Sequence, residues 1–127
     1  MGKSEVGKIG EEKAARYLKK QGYKILGRNW KNSFGYRLGE IDIIAKDKKE
    51  IVFVEVKTRV ADDHELLNIL PEEQITQPKL HKLDRIAVCY LNSQKLRSCP
   101  YRFDAVSVWL DSDLKQAKIK HLKSIFI

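Results

Sequence analysis

The stretch that decides the fold runs Glu40-Ile41-Asp42-Ile43-Ile44-Ala45-Lys46, then Asp47-Lys48-Lys49-Glu50, then Ile51-Val52-Phe53-Val54-Glu55-Val56-Lys57-Thr58-Arg59. Two β-branched runs flanking a short charged segment are most economically read as a hairpin. With Lys48-Lys49 as a two-residue turn, Asp47 pairs with Glu50, and counting outward sets Asp42 opposite Glu55 and Glu40 opposite Lys57. Directly opposed Cβ atoms stand about 5 Å apart. A slip of one residue would send the two acids to opposite faces, so the reading depends on this register. The turn lacks glycine, which leaves a looser connection open.

Strand alternation then sorts the side chains. Asp42 shares a face with Glu40 and Ile44, and Glu55 shares one with Phe53, Lys57 and Arg59. The other face gathers Ile41, Ile43, Ala45, Val52, Val54 and Val56, all apolar and suited to a core. Two carboxylates so close repel each other, and in a partly buried place one takes up a proton unless a cation lies between them. Oxygen ligands without His or Cys select a hard ion, Mg²⁺ or Mn²⁺. Lys57 adds a positive charge suited to orienting or deprotonating a water and to stabilising phosphate oxygens during in-line attack. Glu-x-Lys alone is the pattern of a solvated salt bridge. Its combination with Asp42 inside β-branched runs is what points to phosphodiester hydrolysis.

Outward from the hairpin, Ser4 is a plausible N-cap for an amphipathic helix to about Lys20, stopped before Gly22. Glu11 lies on its apolar stripe with Ala14, Ala15 and Leu18, a position where an acid needs a reason; it is the candidate auxiliary ligand. Tyr23 to Trp30 reads as a first strand and Lys31 to Leu38 as a loop. Val60 to Gln77 reads as a flap or a short helix. Leu80, Leu83, Ala87, Tyr90 and Leu91 recur at helical spacing within a second helix from about Pro78 to Ser93. Arg102 to Leu110 alternates, with Phe103, Ala105, Ser107 and Trp109 on one face and Asp104, Val106, Val108 and Leu110 on the other. Ile119 to Phe126 adds an edge strand. The order αβββαβ with one strand more implies a single α/β domain over residues 1–127, helices covering a mixed sheet.

The 127 residues are 43% hydrophobic and 33% charged, with a formal charge of +8. Such a balance favours an anionic partner, nucleic acid or an anionic membrane surface. No apolar run is long enough for a membrane span and no signal peptide is evident, so a cytoplasmic protein is expected. Cys89 and Cys99 lack metal-ligand spacing, and His64, His81 and His121 are scattered, against zinc hydrolases and nucleophile triads. Lys79, Lys82 and Arg85 form by default the solvated face of the second helix; Lys79 and Lys82, with Arg59, are the candidate phosphate contacts.

Several ordered blocks resemble the YraN-like family of small bacterial proteins: Gly10-Glu11 with Ala14, Tyr17-Leu18 and Gly22-Tyr23; Ile25-Leu26 with Arg28-Asn29-Trp30; Gly39 to Ala45; Val52 to Arg59; Lys79, Leu83, Ala87 and Tyr90-Leu91; and Arg102 to Val106. That family is similar to the restriction-endonuclease-like superfamily and to archaeal Holliday-junction resolvases. The resemblance implies an αβββαβ core and a Mg²⁺ site, with Glu11, Asp42, Glu55 and Lys57 as its acidic and basic residues. The loop Lys31 to Leu38 is longer than usual for the family, and the segment after Arg59 is acidic and apolar where relatives are richer in Gly and Pro. These departures bear on substrate rather than on the site. The expectation is a metal-dependent endonuclease acting on DNA, branched or single-stranded, in preference to RNA, with a homodimer among its expected assemblies. The alternative is a nucleic-acid-binding module that keeps the fold and does not cleave.

Overall fold

Why Glu5–Lys20 is helical is visible at both its ends. The Ser4 hydroxyl accepts a hydrogen bond from the Gly7 amide at 3.1 Å, satisfying a donor that the first turn leaves open. At the other end Gly22 takes φ +94° and the Tyr23 amide returns to the Leu18 carbonyl at 3.0 Å, closing the last turn. The computed structural model describes residues 4–32, 38–60 and 76–125. In chain order these form α1 (Glu5–Lys20), β1 (Lys24–Lys31), β2 (Glu40–Asp47), β3 (Glu50–Val60), α2 (Gln77–Ser93), β4 (Tyr101–Leu110) and β5 (Ala117–Ile125). Most of the segment read as a flap or short helix, residues 61–75, and most of the Lys31 to Leu38 loop lie outside the described residues.

The expected hairpin register holds: Asp47 pairs with Glu50, Lys46 with Ile51, Ala45 with Val52, Ile44 with Phe53 and Ile43 with Val54. The missing glycine is replaced by Lys48 at φ +58°, a conformation that costs a side-chain-bearing residue roughly 1–2 kcal/mol. The five strands lie in the order β1-β2-β3-β4-β5. Neighbours are antiparallel except β3 and β4, which run parallel and are joined through α2, as a parallel pair requires a long crossover.

Both faces of the sheet are covered, so β2 and β3 are buried along five consecutive residues. On one face α1 packs Ala14, Ala15 and Leu18 onto Ile43, Ala45, Val52, Val54, Val106, Val108 and Leu110. On the other, Leu83, Ile86, Ala87, Tyr90 and Leu91 of α2 cover Ile44, Ile51, Phe53 and Phe103. Ile41, expected with Ile43 and Ala45, instead joins the α2 side. Strict alternation breaks between Ile41 and Ile43, the place where β2 leaves the β3 ladder.

That departure opens the sheet. Beyond the Ile43–Val54 pair, β2 stays with β1 as far as the Lys31–Glu40 pair, whereas β3 stays with β4 as far as the Val60–Leu110 pair. The two central strands therefore fork, and Asp42 and Glu55 are the residues just past the fork. Among the described residues no helix is long and apolar enough to cross a membrane.

Candidate metal and phosphate site

At the fork the backbone of β3 offers amides that β2 no longer meets with carbonyls. Asp42 fills this role with its side chain: its Oδ2 accepts from the Val56 amide at 2.9 Å. This bond fixes the carboxylate beside Glu55, whose own position follows from the pleat of β3. Asp42 and Glu55 line one cavity of about 260 Å³ together with Gly39, Glu40, Lys79, Lys82, Leu83 and Ile86. Gly39, at φ +130°, brings the start of β2 under α2; a Cβ there would lie 3.3 Å from the Ile86 Cδ1 and in a backbone region that side chains disfavour.

Both acids are secluded, Asp42 with 6% and Glu55 with 9% of its surface exposed. Burial, then the charge of Asp42, push the Glu55 carboxyl above its ordinary range, against the pull of Lys79 and Lys57. The Lys79 ammonium answers part of this charge: its Nζ donates to Glu55 Oε1 at 2.6 Å. Lys57 is the other neighbour that Lys79 acts on electrostatically. The neighbouring Lys79 ammonium, with burial, lowers Lys57, while Glu55 and Asp42 oppose the shift. Lys79 goes the other way. Burial works against its charge, but the bond to Glu55 and the charges of Glu55 and Asp42 prevail and raise it. The expected trio of Asp42, Glu55 and Lys57 is thus one electrostatic unit, and Lys79 is its fourth member.

The remaining candidates separate. Lys82 lines the same cavity, but Arg59 is exposed near the end of β3. Glu11 is 2% exposed and lines a different cavity, of about 190 Å³, with Ser4, Val6, Gly7, Val56 and Thr58 on the α1 face. Its Oε1 accepts from Asn29 Nδ2 at 2.8 Å and from Arg28 at 3.3 Å, and Arg28 also reaches Glu12 at 2.8 Å. Asn29 stands at φ +54° within β1, a conformation that Asn tolerates better than most residues. Glu11 thus lines another cavity than the one that Asp42 and Glu55 share. Helical periodicity rightly places Glu11 inward, but which face of the sheet it meets depends on the packing of α1.

The donor set nevertheless fits a hard divalent cation. Two buried carboxylates facing one cavity supply oxygen ligands, and Mg²⁺ ordinarily keeps several waters beside one or two carboxylates. The raised Glu55 carboxyl is the state that a cation between the acids would relieve.

A second buried cluster was not legible from spacing. Asp104 accepts from Arg102 Nε at 3.0 Å and from the Ser124 amide at 3.0 Å, and meets His121 Nε2 at 2.7 Å. His121 Nδ1 lies 3.0 Å from the Tyr17 hydroxyl, and Arg102 continues to Glu50 at 2.6 Å and to the Tyr23 hydroxyl at 2.7 Å. The available signal was an acid, Asp104, on the strand face of Val106 and Val108.

Comparison with known proteins places the chain among relatives along nearly its whole length. The uncharacterised protein family UPF0102 matches residues 10–108. A UPF0102 protein of Caldicellulosiruptor saccharolyticus is 45% identical over 126 residues, covering 99% of this chain and 100% of that one. Those of Trichlorobacter lovleyi and Caldanaerobacter subterraneus are each 41% identical, over 98% of this chain and 92% and 96% of theirs.

Proposed function

The chain belongs to the uncharacterised protein family UPF0102, and from that premise we propose that it is a metal-dependent nuclease of the restriction-endonuclease-like kind, hydrolysing DNA phosphodiester bonds. The observation that carries this reading is the fork between β2 and β3, which sets Asp42 and Glu55 in one cavity with Lys79 and couples them electrostatically to Lys57. The similarity to Holliday-junction resolvases noted from the sequence favours branched DNA, and the net charge of +8 suits a polyanion.

In this reading Asp42 and Glu55 hold Mg²⁺ or Mn²⁺, which when bound supplies charge neutralisation and Lewis acidity at the phosphate. Asp42 is oriented by the Val56 amide, so its geometry is set before anything binds. Lys57, its proton affinity reduced by its neighbour Lys79, takes a proton from the attacking water. The water oxygen bonds to phosphorus as the opposite P–O bond breaks, and the departing alkoxide takes a proton from solvent, leaving a phosphomonoester and an alcohol. Lys79 and Lys82 face the phosphate oxygens. Glu11, the auxiliary acid, is held by its bonds to Asn29 and Arg28, which tie α1 to β1.

Purified protein with Mg²⁺ or Mn²⁺ is expected to cut labelled four-way-junction, duplex or single-stranded DNA, and to lose that activity as Asp42→Ala and as Glu55→Ala. Cleavage that survives either substitution overturns the assignment, as does inertness toward all three DNAs with both metals. Cleavage confined to RNA would move the substrate class.

A further inference from the structure

We infer that Lys79 is a built-in competitor of the metal, a tethered cation that occupies Glu55 until a phosphodiester draws it away, so that metal and nucleic acid load cooperatively. The inference rests on the metal reading of the Asp42–Glu55 cavity and concerns how that site is regulated.

Its first support is geometric. The Lys79 Nζ lies 2.6 Å from Glu55 Oε1, on the carboxylate that would hold the cation. A divalent ion at that oxygen and an ammonium on it cannot coexist without strong repulsion. Its second support is mechanical. Lys79 stands in the first turn of α2, where its amide donates to the N-cap Thr76 hydroxyl at 3.4 Å, so the main chain is anchored. The side chain is 33% exposed and carries its charge on a flexible four-carbon stem. The ammonium can therefore leave Glu55 while the helix stays in place. Its third support is the neighbourhood. Lys82, one helical turn on, lines the same cavity, so the cavity wall on α2 already presents a second cation to a phosphate.

Two consequences follow from linkage. A phosphate oxygen that takes over Lys79 frees the Glu55 oxygen and raises metal affinity; by reciprocity, bound metal releases Lys79 and raises affinity for the phosphodiester. Empty of nucleic acid, the protein holds metal weakly and is protected from idle charge in its cavity.

The test is titration of the full chain with Mn²⁺ alone, free Mn²⁺ being read by electron paramagnetic resonance, for wild type, Lys79→Gln and Lys79→Arg. Lys79→Gln is expected to bind Mn²⁺ roughly tenfold more tightly at low salt, as removal of one adjacent cation implies, and Lys79→Arg to stay near wild type. At saturating Mn²⁺, cleavage by Lys79→Gln is expected to show a raised KM, so that one substitution improves metal binding and impairs use of nucleic acid. A merely structural lysine would not tighten the metal: unchanged or weaker Mn²⁺ binding by Lys79→Gln, with wild type binding and both proteins melting alike, overturns the inference and leaves the nuclease reading standing. Absence of Mn²⁺ binding in all three proteins overturns both.

Discussion

Two clusters of buried charge sit in this small molecule, and they are built on opposite principles. Around Asp104 nearly every hydrogen-bonding group finds a counterpart: Arg102, His121 and the Ser124 amide converge on one carboxylate, and Arg102 spreads on to Glu50, Asp47 and Tyr23. Burial opposes the charge of Asp104, yet the hydrogen bonds from His121, Arg102 and Ser124 outweigh it and hold the carboxyl below its usual value. At the fork, Asp42 and Glu55 face each other with a lysine bridging to one of them, and Glu55 is pushed up. One cluster is satisfied and joins α1, the hairpin, β4 and β5. In the other, burial and the Asp42 carboxylate raise Glu55, an arrangement that recurs in functional clefts.

Substitutions can break or sharpen this contrast. The largest effect is expected on the proposed chemistry: Asp42→Asn or Glu55→Gln is expected to lower the cleavage rate by at least about a thousandfold, since in the proposed mechanism each removes a metal ligand. Single-turnover assays at saturating metal check it. Next, Arg102→Met in the satisfied cluster leaves Asp104, Glu50 and Asp47 without their shared cation and is expected to lower unfolding free energy by about 3 kcal/mol. Urea unfolding followed by circular dichroism measures it, and a loss below about 1 kcal/mol would show that this network is not a staple.

A smaller effect follows from pH. The Asp104 carboxyl is depressed from its ordinary 3.8 in the fold. The stability it contributes is present above that value and lost as pH falls through the lower folded value. The stability gap between wild type and Asp104→Asn should therefore be full near neutrality and close in strong acid; a gap independent of pH would contradict the role given to this carboxylate. The smallest effect is at the fork. Glu55→Gln forfeits the ion pair with Lys79 but relieves the repulsion with Asp42 and the burial of a charge, and because these oppose each other it is expected to change stability by less than Arg102→Met does. A loss like that of Arg102→Met would erase the distinction between the clusters.

How much of this was legible in the sequence differs between fold and site for physical reasons. Alternation, capping by Ser4, the stop at Gly22 and the pairing count across Lys48-Lys49 are local, and they carry the element order and the hairpin register. The facing of Asp42 and Glu55 follows from that register. The fork itself does not, because where β2 parts from β3 is set by tertiary packing, and with it go the Asp42 bond to the Val56 amide and the placement of Ile41. Lys79 was legible as a candidate phosphate contact; its bond to Glu55 is a tertiary fact of how α2 seats on the sheet. Glu11 was read as inward from helical spacing, but periodicity names a face and not the neighbour on it. His121 looked isolated because its partners Tyr17 and Asp104 come from α1 and β4.

The central claim is that Asp42 and Glu55 together form a divalent-cation site, and isothermal titration with Mn²⁺ tests it most directly. The account expects one ion per chain, bound at millimolar affinity or tighter, with binding abolished in Asp42→Asn while the protein remains folded. Binding that persists in Asp42→Asn, or its absence in the wild-type chain, would contradict it.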